Sequence, residues 1–196
     1  GYLPGVNAEW YTSCGEYGVD GLDSLSIMEK YAPKEWLPKH LDDEWYPNVI
    51  AKGQSFNLLP GFRLEPSRIM DWLRVSQEYQ KEAIKQYVHM LRRRTDRIES
   101  TAVHLLIDAW PMGWTKALVD VDRIPKPAYY AFQEASIPFR ISLRRDRYTV
   151  YAGEETKAEL YLLNDCSKEK SGQLIVSIYR NGKLVGSYGK KVIAAP

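Results

Sequence analysis

Ala102-Val103-His104-Leu105-Leu106-Ile107-Asp108 is the stretch on which the fold turns. A near-continuous apolar run this short is too brief for an ordinary helix. It reads as a strand covered on both faces, as in parallel sheets. A long helical segment precedes it, from Ser67 to about Arg94. There Ile69, Trp72, Leu73, Tyr79, Ala83, Ile84, Tyr87, Val88 and Leu91 recur at intervals of three and four, and Glu78, Lys81, Glu82 and Lys85 fill the opposite face. A helix followed by a buried strand is half of a repeating β/α unit. Such sheets, barrel or open, place their chemistry at the C-terminal ends of the strands. Asp108 and Trp110 fall at one such end. Pro125-Lys126-Pro127 then starts a short helix with Tyr129, Tyr130, Phe132 and Ala135, proline being well suited to a first turn.

A second strand end lies upstream, in Thr12-Ser13-Cys14-Gly15-Glu16-Tyr17-Gly18, with the strand itself expected near Glu9 to Cys14. A carboxylate set there could act as nucleophile, general base or metal ligand, and a solvated loop carboxylate is the plain alternative. Tyr17 and Cys14 are potential hydrogen-bond donors to it. His104 shares a strand face with Leu106 and Asp108 by alternation, so His104 and Asp108 would line a cleft floor if that face is the inner one, a buried histidine bonded to an interior polar group being the plain alternative. Trp110, just beyond the strand end at Asp108, is the best candidate for stacking on a sugar ring, with packing against the helix from Pro125 to Tyr130 as the alternative.

A helix is expected near Leu22 to Lys30, capped by Asp23 or Ser24. The irregular stretch that follows carries Pro33, Pro38, Pro47, Pro60 and Pro66 with Trp36, Trp45, Phe56 and Phe62, and reads as a long loop packed over the strand ends. Asp120 and Asp122 are too few for a metal site and are expected as caps or as partners of Arg123 or Lys126.

Beyond Pro138 the pattern becomes short and alternating, at Phe139–Leu143, Tyr148–Tyr151, Ala158–Leu163, Leu174–Tyr179 and Leu184–Tyr188, with Asn181-Gly182 as a hairpin signal. An immunoglobulin-type sandwich needs about seven strands and about 100 residues. Residues 139–196 therefore read as an incomplete one.

The 196 residues are 44% hydrophobic and 27% charged, with a formal charge of +2. That balance argues for a globular chain and against a nucleic-acid partner. Arg92-Arg93-Arg94 suits a helix C-terminus. No apolar run approaches the roughly 20 residues of a membrane span. Six Trp and 14 Tyr against 4 Phe tilt the composition toward flat polar ring ligands such as sugars. Cys14 and Cys166 fall in different regions, and a bridge between them is not expected. There is no phosphate loop, dinucleotide turn, paired-cysteine metal motif or serine nucleophile elbow, so no cofactor or metal is expected.

Ser13 to Ser24, Ser-Cys-Gly-Glu-Tyr-Gly-Val-Asp-Gly-Leu-Asp-Ser, resembles the nucleophile segment of glycoside hydrolase family 2, the β-galactosidase, β-glucuronidase and β-mannosidase group. Asp108-Ala109-Trp110-Pro111, Trp114, Leu118-Val119-Asp120 and Pro125-Lys126-Pro127-Ala128-Tyr129-Tyr130 look like the end of that family's catalytic barrel. Ser76-Gln77-Glu78-Tyr79-Gln80 is similar to its penultimate helix. The resemblance covers about residues 1 to 139.

It implies an α/β plus all-β chain: the last two β/α units of a (β/α)₈ TIM barrel over 1–138 and part of an immunoglobulin-like β-sandwich over 139–196. It also implies a retaining β-glycosidase, β-galactosidase-like first, with Glu16 as nucleophile ending the seventh strand and 102–108 as the eighth. Substrate contacts would come from Trp110, Asp108, His104 and Tyr17. The family's acid/base carboxyl has no counterpart here and is expected in a preceding part of the polypeptide. Alone, the chain should be inactive and prone to self-association through exposed strand edges. If a signal peptide precedes it, a periplasmic or secreted location is expected. His104 stands where the family often has a Trp, Ile107 where it has an amide, and Gly15 where it has Ser or Thr. The rival reading is a non-catalytic carbohydrate-binding or structural module on the same fold.

Overall fold

A computed structural model describes residues 12–47, 66–94, 96–112, 115–145, 147 and 150–196. The chain divides into two compact units, Gly1–Ser136 and Ile137–Pro196.

In the first unit, β1 (Thr12–Tyr17) and β2 (Ile98–Val103) pair in parallel, and the long helix α2 (Ile69–Arg92) lies between them in sequence. Parallel neighbours need such a crossover, so this is a β–α–β unit. A short helix α1 (Leu25–Tyr31) precedes α2, and α3 (Pro127–Ala135) follows β2. Ser24 caps α1 by accepting the Ile27 N–H, and Pro127 sits in the first turn of α3, where its missing N–H costs nothing.

Helix α2 joins two apolar clusters. Its N-terminal half packs Ile69, Trp72, Leu73 and Val75 with Leu22, Met28 and Trp45. Its C-terminal half packs Ile84, Val88 and Leu91 with Tyr17, Ile98, Leu118, Ala128 and Ala135. Each fully buried Ile or Leu contributes about 1.5–3 kcal/mol. Arg92 closes the second cluster, its Nη1 donating to the Ala135 carbonyl at the end of α3 (2.6 Å).

One expectation is corrected here. The second strand is Ile98–Val103, not 102–108. The backbone of Leu105 and Leu106 instead accepts the N–H groups of Leu118 and Val119, and Asp108 N–H donates to Val119 O, so this apolar run pairs with the following segment. Trp45 is a core residue: it is buried, and its indole N–H donates to Trp36 O at 2.8 Å. Residues 9–11, Phe56, Phe62 and Trp114 lie outside the described residues.

In the second unit, β3 (Phe139–Arg145) pairs antiparallel with β4 (Ala158–Asn164), and β5 (Lys170–Arg180) with β6 (Lys183–Ala194). Asn181 (φ 50°) and Gly182 (φ 76°) form the expected tight turn, in which both central residues need positive φ. Asn164 Nδ2 donates to Ala194 O (3.1 Å) and Ala195 O (2.9 Å), fastening the end of β4 to the end of β6. Val150 and Tyr151 form no strand, against expectation. The Tyr151 N–H bonds the Glu154 carboxylate and the Glu154 N–H returns to Tyr151 O, closing a turn there. Ile141, Leu143 and Leu160 stay well exposed on one face of the β3–β4 pair.

Candidate active site

A bulge aims Glu16. Cys14 pairs with Thr101 and Tyr17 with Val103, so β1 has two residues, Gly15 and Glu16, where β2 has one, Ala102. Strict alternation would send Cys14 and Tyr17 to opposite faces. The extra residue lets both face α2, where they join the second cluster. Gly15 and Glu16 are left on the face away from α2, with the Glu16 side chain 70% exposed. That face is polar: Ser100 Oγ donates to Ser13 Oγ at 2.9 Å nearer the strand starts.

His104 stands beside Glu16, its Nε2 3.6 Å from Glu16 Oε2. Its backbone is held tightly. The His104 N–H donates to Tyr17 O (2.7 Å), one residue past the end of β2. A Cβ on Gly18 would lie 2.1 Å from the His104 carbonyl oxygen, so only glycine allows this approach. Replacing Gly18 by Ala must push the 104 backbone away. We expect a loss of about 2–3 kcal/mol, at the upper end for overpacking because the clash is with backbone, read by chemical denaturation. An unchanged midpoint would contradict this packing.

Tyr17 points the other way. It is buried, lies 5.6 Å from the Tyr87 ring, and hydrogen-bonds Thr101. Burial first, then Cys14, pushes its phenol up to about 12, so it stays protonated. It supports the strand from behind and is not turned toward the Glu16 face. Asp108 is interior, its Oδ1 accepting the Trp110 N–H at 3.3 Å. Trp110 is 74% exposed, the most open large apolar side chain among the described residues, and its faces are available for stacking.

Behind Glu16, the loop from Gly18 to Asp23 is fastened by a buried polar knot. Lys126 Nζ donates to Gly21 O (2.9 Å) and Thr115 O (3.1 Å) and pairs with Asp23 Oδ1 at 3.0 Å, the two side chains being 3% and 1% exposed. Gln80 Nε2 points at the carbonyls of Val19, Thr115, Lys116 and Ala117, at 3.0–3.3 Å. Ser76 Oγ accepts the Leu22 N–H, and Gln77 Nε2 donates to Leu22 O. Sequence reasoning missed this knot, although a signal was present. Trp72, Ser76, Gln80, Ile84 and Val88 follow each other at i+4, so two polar residues interrupt a buried stripe, and a buried amide needs partners.

Asp122 pairs with Lys30 (2.6 Å) and accepts the Tyr31 hydroxyl (2.7 Å), not Arg123 or Lys126 as expected. Asp120 Oδ1 accepts the Ile124 N–H, a local cap. Both cysteines are free. Among the described residues no cluster of three or more His, Cys, Asp or Glu could hold a metal ion, and no helix is long and apolar enough to cross a membrane.

A scan against protein-family models gives no match, and a search of curated proteins gives none. Among solved structures the chain is similar to a β-D-mannosidase from Dictyoglomus thermophilum. The likeness has 16% sequence identity and a TM-score of 0.65 over 92% of this chain and 23% of that one. At that identity the likeness is one of fold. This chain spans less than a quarter of that structure's length.

Proposed function

We propose that these residues form the nucleophile half of the active site of a retaining β-glycosidase of the glycoside hydrolase family 2 type. The first unit would be the C-terminal part of a (β/α)₈ barrel, and the second part of an immunoglobulin-like sandwich. One observation carries this reading: Glu16 emerges on the face away from α2 at the end of a parallel strand, in a chain whose fold runs alongside a β-mannosidase over most of its length.

In this scheme one Glu16 oxygen attacks the anomeric carbon as the glycosidic C–O bond breaks and the leaving oxygen takes a proton from an acid. Water, deprotonated by the same group, then displaces Glu16 and restores the original anomeric configuration. Such a pair of carboxyls stands roughly 5–5.5 Å apart. Among the described residues the recorded partner of the Glu16 carboxylate is His104, not a second carboxyl. In this reading the acid comes from the preceding part of the polypeptide that the family resemblance implies. Trp110 supplies a stacking face for the sugar, and Asp108 fixes the turn that carries it.

Terminal β-mannosides are put first among substrates because of the structural neighbour, with β-galactosides and β-glucuronides behind. The test is hydrolysis of chromogenic forms of all three by the full-length protein, with the product anomer followed by NMR. Release of the β-anomer from any one supports the reading. No hydrolysis of any, or first release of the α-anomer, ends it.

A further inference from the structure

Resting on Glu16 as nucleophile, we infer that His104 is its positioning residue: the imidazole holds one carboxylate oxygen so that the other is presented to the anomeric carbon. The approach is of Nε2 to Oε2. At 3.6 Å it is an ion-pair distance, somewhat longer than a made N–H···O hydrogen bond, which runs to about 3.2 Å. Catalytic hydrogen bonds of this kind often tighten only when substrate is bound.

What distinguishes His104 from a chance neighbour is how firmly its backbone is registered to the nucleophile. Its N–H bonds the carbonyl of Tyr17, the residue after Glu16, and its own carbonyl rests on Gly18, the next residue along. The β1 bulge puts Glu16 on the same open face. Imidazole and carboxylate therefore belong to one rigid piece of backbone, braced from the far side by Tyr17 against Tyr87. The imidazole side chain is only 30% exposed against 70% for the carboxylate, so the donor sits deeper and the acceptor reaches outward from it. A neutral imidazole carrying its proton on Nε2 and the imidazolium can both donate to Oε2. An aromatic hydrocarbon at this position could not donate at all.

The test uses the full-length protein and whichever aryl β-glycoside it hydrolyses, comparing His104→Phe and His104→Gln. The amide of Gln can place a donor nitrogen near the position of Nε2. His104→Phe is expected to lower kcat about tenfold or more, the scale of a lost bond to a charged group, with KM changed by less than about twofold. His104→Gln is expected to stay within about threefold of the parent, with the thermal midpoint unmoved. Phe at parental turnover would overturn the inference. So would Gln as impaired as Phe, or a rise in KM with kcat intact, which would make His104 a substrate contact. Glu16→Gln, run alongside, keeps the premise separate. If that variant is dead while His104→Phe is unaffected, only this inference fails; if Glu16→Gln is active, the nucleophile reading fails first.

Discussion

Glu16→Gln is expected to lower turnover of the full-length protein by at least about 100-fold while leaving its stability unchanged. The amide matches the carboxylate in shape but has no anionic oxygen with which to form the glycosyl ester. Its effect on folding should be negligible, because the side chain is 70% exposed and no core residue depends on it. Substitutions at such surface positions stay within about 0.5 kcal/mol. The pairing of a dead enzyme with an intact melting curve is what makes the experiment informative. A loss of activity that tracked a loss of stability would point to structural damage, and unchanged turnover would remove Glu16 from the chemistry.

Lys126→Met is expected to do the reverse and strike the fold. Its ammonium is buried against two carbonyls and the Asp23 carboxylate, and Asp23 Oδ2 has no donor among the described residues. Removing one partner of a buried pair strands the other charge, which costs about 3–5 kcal/mol. The pH dependence carries the signature. Burial holds the Asp23 carboxyl above its ordinary value, Lys126 pulls it back down, and Asp108 and Asp120 push it up again. Without Lys126 it must rise further. A carboxyl raised in the folded state makes that state the better proton binder between the unfolded value, 3.8, and the folded one. Stability therefore falls as pH rises through that window, and the penalty is fully present only above it. The variant's deficit against the parent should be largest near neutrality and shrink as pH is lowered toward 4. Urea denaturation at several pH values reads this. A deficit that is flat with pH, or that grows in acid, would show that Asp23 is not the stranded charge.

Much of this arrangement was legible in the residues, and the parts that were not have a common cause. The stripe from Ile69 to Leu91 and the Pro127 start both follow from local rules, and α2 and α3 appear close to where those rules place them. The turn at Asn181-Gly182 is equally local, since few pairs tolerate two positive φ angles. The eighth-strand reading failed because polarity misled it. Glu99, Ser100 and Thr101 are exposed polar residues yet belong to β2, while the apolar run at Leu105 and Leu106 bonds through its backbone to Leu118 and Val119 instead. An apolar run does not announce its partner. The same holds for the long-range pairs: Lys126 meets Asp23 and Asp122 meets Lys30 across about half the chain, with no local pattern linking them. The Glu16–His104 contact needed the bulge, which appears only once the register of β1 on β2 is known.

The most direct test of Glu16 as nucleophile is to trap the ester. The full-length protein would be incubated with a 2-deoxy-2-fluoro β-glycoside bearing an activated leaving group, digested, and sequenced by tandem mass spectrometry. The added mass of one fluorosugar is expected on the peptide spanning Cys14 to Tyr17, with fragmentation assigning it to Glu16. A label on any other carboxylate would contradict the account, as would full turnover of ordinary substrate by protein that never acquires one.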